Sequence, residues 1–129
     1  MKKKIMVVED NPIVRDYLVR GISDQPDFRV VAAIGNASDA VFQCQRLKID
    51  IILMDIHTER RSSGLEASKR IKHDCPAVKI VLMTGLPTVH LIEEAKHIGV
   101  ESFVAKDVSL HRLIQTLRGS LKGNHFYPY

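Results

Sequence analysis

Four short apolar runs in this sequence each hand over to a residue with chemical potential. Glu9 and Asp10 follow Ile5-Met6-Val7-Val8, and Asp55 follows Ile51-Ile52-Leu53-Met54. Thr84 and Gly85 follow Val78-Lys79-Ile80-Val81-Leu82-Met83, and Lys106 follows Ser102-Phe103-Val104-Ala105. Two ionised carboxylates ~5 Å apart repel by ~3 kcal/mol at an effective dielectric of ~20, so three in one cleft call for a cation. A hard divalent ion with oxygen ligands meets that need, and magnesium binds through one or two carboxylates plus phosphate oxygens. An aspartate held there can attack phosphorus to give an aspartyl phosphate. The metal and an ammonium such as Lys106 would position and neutralise the transferred group. Taken singly, each residue has an ordinary role. An Asp after a strand is commonly a turn or cap residue, Glu9-Asp10 suits the N-terminus of a helix, and Thr84 and Lys106 fit a strand end and a surface. Their joint placement favours the functional reading.

That placement depends on the elements between them. The apolar runs, with Val30-Val31-Ala32-Ala33-Ile34 as a further one, are near-continuous and rich in β-branched residues, the pattern of strands buried on both faces. Amphipathic stretches alternate with them. Asn11-Pro12 opens the first, a cap residue followed by proline at the first helical position, with Ile13, Val14, Tyr17, Leu18 and Ile22 on one face. Ser38 is the expected cap of a second helix that turns Ala40, Val41, Cys44 and Leu47 inward. A third runs from about Leu65 to Asp74 and a fourth from about Thr88 to Ile98, with Gly99 at its C-cap. A fifth follows Ser109 and carries Leu110, Leu113, Ile114, Leu117 and Leu121. Five βα units imply parallel strands joined by right-handed crossovers, with helices on both sheet faces. The expected fold is a doubly wound α/β sandwich around a five-stranded parallel sheet. In such sheets ligands bind beyond the carboxyl ends of the strands, where the five polar residues stand.

The 129 residues suit one domain, with 45% hydrophobic and 26% charged residues. The formal charge of +4 includes three lysines at the N-terminus and others spread along helical stretches, such as Lys69, Arg70 and Lys72. A solvated surface is a better reading of that charge than a nucleic-acid groove. Cys44 and Cys75 lack metal-ligand spacing and read as reduced thiols, buried or half-buried. The apolar run after the basic start ends at Val8, too short for a secretory or spanning segment. The expectation is a cytoplasmic domain with no membrane partner.

The stretches IMVVEDNP (5–12), DIILMDI (50–56), GLEA (64–67), KIVLMT (79–84) and GVESFVAK (99–106) resemble the receiver domains of two-component response regulators. The likeness runs from about Lys4 to Leu121. It implies a CheY-like, flavodoxin-like (βα)5 domain over residues 1–122, with 123–129 as a fraying tail or the start of a linker. It also implies a switch and not an enzyme. Asp55 would be the phosphoacceptor, and a sensor histidine kinase the donor. Asp10 and Asp55 would bind Mg2+ directly, Glu9 largely through water, and His57 through its backbone carbonyl. Thr84 would turn toward the phosphoryl group, Lys106 would pair with it, and Phe103 would be the aromatic whose rotamer follows Thr84. The final third is most similar to receivers that precede a LuxR-type helix-turn-helix domain, on the strength of Lys106-Asp107 and the Gly123-to-Pro128 tail. Transcription control and any DNA contact would belong to such an output domain, which these residues do not contain. The expectation is therefore a truncated chain or a stand-alone receiver, with homodimer contacts as a further option.

The loop after Asp55 departs from the family. Thr58 and Glu59 replace the usual Met-Pro, and the following glycine, Gly64, arrives one residue late. A polar surface loop with unchanged chemistry is one reading; altered metal affinity or phosphoryl lifetime through His57, Glu59 or Arg60 is the other. The His57 ring is expected to face solvent, and Gly85 to leave space beside the site. Two rivals remain. A haloacid-dehalogenase type of phosphatase would need an Asp-x-Asp pair, whereas these acids are adjacent. A phosphorylation-independent receiver would act only as a protein-interaction module.

Overall fold

The computed structural model describes residues 1–57 and 63–128. Strands β1 (Lys3–Val8), β2 (Phe28–Ile34), β3 (Ile51–Asp55), β4 (Lys79–Thr84) and β5 (Ser102–Ala105) alternate with helices. These are α1 (Pro12–Ser23), α2 (Ala37–Arg46), α3 (Gly64–Asp74), α4 (Val89–Ile98) and α5 (Leu110–Leu121). The strands form one parallel sheet in the order β2-β1-β3-β4-β5. The order reverses between β1 and β3, which opens a crevice at their carboxyl ends.

Side chains of a strand alternate between faces, and here both faces are buried. Met6, Val8, Ile52, Met54, Ile80, Leu82 and Phe103 pack against α2, α3 and α4 through Ala40, Cys44, Ala67, Ile71, Ile92 and Ala95. Ile5, Val7, Ile51, Leu53, Val81, Met83 and Val104 pack against α1 and α5 through Leu18, Ile22, Leu113, Ile114 and Leu117. The outer strand β2 is only half-buried, because no strand covers its far side.

Caps fix where the helices begin. The Asn11 side chain accepts the N–H groups of Ile13 (2.9 Å) and Val14 (3.2 Å). Thr88 and Ser109 cap α4 and α5 through Leu91 and Arg112. Gly99 ends α4 with φ of 91°, a conformation glycine adopts without a Cβ penalty. Two expectations need correction. Asn36, not Ser38, caps α2; its side chain accepts the Ser38 N–H at 2.8 Å. Ile13 and Tyr17 are exposed, at 80% and 58%. The buried stripe of α1 follows i, i+4 steps through Val14, Leu18 and Ile22, and residues one position earlier are rotated about 100° away from it.

Cys44 is buried against the half-buried Cys75. Burial and the neighbouring Cys75 push the Cys44 thiol up to about 12.

Candidate functional site

Four of the polar residues anticipated at the strand ends, Glu9, Asp10, Asp55 and Lys106, meet at the carboxyl ends of β1 and β3. One carboxylate oxygen from each of Glu9, Asp10 and Asp55 lies within 4.8 Å of the others. Lys106 crosses from beyond β5 to both buried acids, its Nζ 2.8 Å from Glu9 Oε1 and 3.0 Å from Asp55 Oδ2. Its own backbone N–H donates to the Thr84 carbonyl at 2.8 Å, which ties the lysine to the end of β4. The His57 N–H donates to Asp55 Oδ1 at 3.2 Å. The Thr84 side chain is buried, and its Oγ1 accepts the Leu86 N–H at 3.3 Å.

The chain around Glu9 is braced by neighbours that sequence reasoning missed. The Asn11 N–H donates to Glu9 Oε2 at 3.0 Å, and Arg15 donates to the Glu9 carbonyl at 2.8 Å. A basic residue one helical turn into α1 gave no distinctive signal in one sequence. Gly64 was visible only as part of a family-like stretch. Its N–H donates to the Ile56 carbonyl at 2.8 Å, and a Cβ there would collide with the Asp55 carbonyl. Only glycine lets the start of α3 close this tightly behind the acid. His57 is exposed and bridges to Ser63. The departures at Thr58, Glu59, Arg60, Arg61 and Ser62 lie outside the described residues. Beside Thr84, a Cβ on Gly85 would meet no atom within 4 Å, which matches the open space expected there. Phe103 is buried against the face lined by Ile92 and Ala95.

The electrostatics are those of a site with too few cations. Burial raises the Glu9 and Asp55 carboxyls above their ordinary range, against the opposing pull of Lys106. Asp10, at the rim, is held below its range by the hydrogen bond with Glu9, aided by Lys106. Burial works to lower the Lys106 pKa, but the two acids outweigh it and hold the ammonium protonated. Glu9 Oε1 is fully buried and, among the described residues, meets Lys106 only as an ion pair without hydrogen-bond geometry. An under-satisfied buried oxygen facing two further carboxylates fits a hard divalent cation.

The chain belongs to the response regulator receiver domain family, whose pattern matches residues 5–118. It is a receiver domain of the two-component signalling type, with relatives among LuxR-family regulators. It is 33% identical to the transcriptional regulatory protein YdfI of Bacillus subtilis over 123 residues, which are 94% of this chain and 56% of that protein. It is 30% identical to the response regulator protein VraR of Staphylococcus epidermidis, over 98% of this chain and 60% of that one. The chain thus spans little more than half the length of these curated relatives. A LuxR-family two-component response regulator from Aurantimonas superposes with a TM-score of 0.91 at 28% identity, covering 98% of this chain and 89% of that chain. The non-phosphorylated receiver domain of Escherichia coli RcsB shares the fold, with a TM-score of 0.89 at 18% identity and full coverage of both chains. Receiver domains bind Mg2+ at an acidic pocket, and Glu9, Asp10 and Asp55 form an acidic cluster in this one. No helix among the described residues is long and apolar enough to cross a membrane.

Magnesium is therefore expected to raise the thermal midpoint, since a ligand of the folded state alone stabilises it by about 2.7 kcal/mol at a hundredfold excess over Kd. Asp55→Asn should raise the metal-free midpoint at neutral pH, because burial makes ionised Asp55 less favourable in the fold than in the unfolded chain. The same substitution should shrink the magnesium shift. Equal magnesium shifts in both proteins, read by thermal melts, would count against this cluster as the ion site.

Proposed function

We propose that the domain is a phosphorylation switch in which Asp55 accepts a phosphoryl group from the phosphohistidine of a sensor histidine kinase. One observation carries this reading: a buried carboxylate with Lys106 at 3.0 Å and two further acids within 4.8 Å. An Asp55 carboxylate oxygen attacks phosphorus, the P–N bond to the donor histidine breaks, and that imidazole keeps the electron pair and takes up a proton. Asp10 and Asp55 would hold Mg2+, with Glu9 acting largely through water and His57 through its carbonyl. When bound, the ion supplies positive charge against the phosphoryl oxygens. Lys106, already beside Asp55, pairs with the added charge of nearly −2. Thr84 leaves the Leu86 N–H to meet the same group, and Phe103 follows it. The two arrangements are members of one equilibrium that phosphorylation shifts.

The domain works as a switch and not as an enzyme, in the cytoplasm, where its kinase partner presents the phosphohistidine. Its output would be transcription control through a helix-turn-helix domain outside this sequence, in line with the names of YdfI and the LuxR-family relatives. A homodimer is a further partner state of the same switch.

The test is intact mass after incubation with magnesium and acetyl phosphate. A species heavier by about 80 Da, one phosphoryl group, is expected in the wild type and absent from Asp55→Asn. A wild type that gains no such mass and also fails to bind beryllofluoride would leave the phosphorylation-independent reading standing. Rapid turnover of many phosphate esters would favour a hydrolase.

A further inference from the structure

Beyond α5 the chain turns back onto the domain. Gly123 takes φ of +95°, and the Asn124 N–H donates to the Gly119 carbonyl at 2.9 Å. The tail then follows the outer side of β5, the last strand of the sheet. The Phe126 N–H donates to Ser102 Oγ at 3.1 Å, and the Phe126 carbonyl accepts the Phe103 N–H at 2.8 Å. His125 Nδ1 lies 2.9 Å from the Glu101 carbonyl, and the Tyr127 hydroxyl donates to the Val100 carbonyl at 2.6 Å. Lys96 of α4 stands 5.0 Å above the Tyr127 ring, a cation–π contact. The Phe126 ring lies where a Cβ on Gly119 of α5 would be. The expected fraying end is thus held at α4, β5 and α5 together.

We infer that residues 124–127 form a clasp whose docking is coupled to the phosphoryl state of Asp55: docked at rest, loosened on phosphorylation. The inference rests on the reading of Asp55 as the phosphoacceptor. The site shows its resting arrangement while the clasp is closed, with Lys106 shared between Glu9 and Asp55 and the Thr84 hydroxyl held by Leu86. Phe103 links the two regions. Its side chain packs beneath α4, and its N–H is the edge donor that the tail uses. Thr84 pairs in register with Ala105, two residues from Phe103 on the same strand. A shift of α4 against β5 would carry Lys96 away from Tyr127 and Phe103, so the tail could not keep all its anchors. In the longer relatives, residues follow this point, so release of the clasp would pass the signal along the chain.

Coupling of this kind is reciprocal: what phosphorylation loosens must, when loosened by mutation, favour the phosphorylated arrangement. The variants are Gly119→Ala, which suits the helix interior while displacing the Phe126 ring, and Tyr127→Phe, which loses one hydrogen bond. Made in the full chain, Gly119→Ala is expected to lower the beryllofluoride concentration giving half-saturation, with magnesium present, by about fivefold or more. Tyr127→Phe should act in the same direction and less strongly. In the wild type, saturating beryllofluoride should speed amide exchange at Phe103 and Phe126 by about fivefold, read by NMR, and leave Ile80 unchanged. Unchanged exchange at both amides, or wild-type half-saturation in Gly119→Ala, would overturn the clasp alone. A wild type that takes neither beryllofluoride nor a phosphoryl group fails the phosphoacceptor reading and the clasp with it.

Discussion

Glu101→Ala is expected to destabilise the domain by about 3–5 kcal/mol and to lower its thermal midpoint by about 10 °C or more. Glu101 lies at the opposite end of the sheet from Asp55, yet more depends on it than on any surface charge. Its Oε2 accepts Lys72 Nζ at 2.8 Å, and its Oε1 accepts the Ile80 N–H at 2.8 Å. Lys72 also donates to the Val78 carbonyl at 2.8 Å. The two side chains are only 13% and 10% exposed, so water cannot replace a lost partner. Removing the acid leaves the half-buried Lys72 ammonium with the neutral Val78 carbonyl and no counter-charge, and strands the buried Ile80 amide at the start of β4. Lys72→Met should cost less, because it leaves Glu101 with the Ile80 amide. The double variant should cost less than the sum of the singles, since neither charge is then left alone. Denaturant titration decides the matter. A loss below about 1 kcal/mol for Glu101→Ala would mean that the pair behaves as an exposed one.

Gly64→Ala is expected to cost about 2–3 kcal/mol and to abolish the Asp55 adduct in the acetyl phosphate experiment. The added methyl would meet the Asp55 carbonyl and the Ile56 Cα. Both are backbone, so no side chain can swing aside. Relief requires α3 to back away or the end of β3 to shift, and either movement displaces the acid from Lys106 and His57. Gly85→Ala is the matched control. It stands beside Thr84 with open space around it and should change stability by less than about 0.5 kcal/mol. Equal losses in the two variants would show that glycine flexibility, rather than close approach to Asp55, sets the cost.

The architecture was legible because continuous β-branched runs and amphipathic stretches alternate without ambiguity. Strand-end reasoning then brought Glu9, Asp10, Asp55, Thr84 and Lys106 to one edge, where the structure has them. What stayed hidden depends on contacts between residues distant in sequence. Nothing near Lys72 points to Glu101, and nothing in Gly64 shows that the Asp55 carbonyl is its neighbour. Ser38 read as a cap because Ser, Asn and Asp share that preference, and Asn36 stood two residues earlier. Ile13 and Tyr17 read as inward because apolar character does not fix rotation about a helix axis to within 100°. The tail read as frayed because Gly123-Asn124 resembles an ending, while three of its anchors, Val100, Glu101 and Ser102, stand 24 to 27 residues earlier in the chain.

An open sheet also has two margins, and each is a template for pairing with other chains. At one margin, β2 is short of cover but carries the exposed Arg29, and a register shift at Ile5/Met6 interrupts its pairing with β1. Charge and irregularity protect that side. At the other, β5 is four residues long and carries Phe103 and Val104, with no charge of its own. Its guard is the His125-Phe126-Tyr127 segment laid along it. Whatever loosens that segment also bares an apolar strand, so the same contacts that would report a signal keep the domain from aggregating through its own edge.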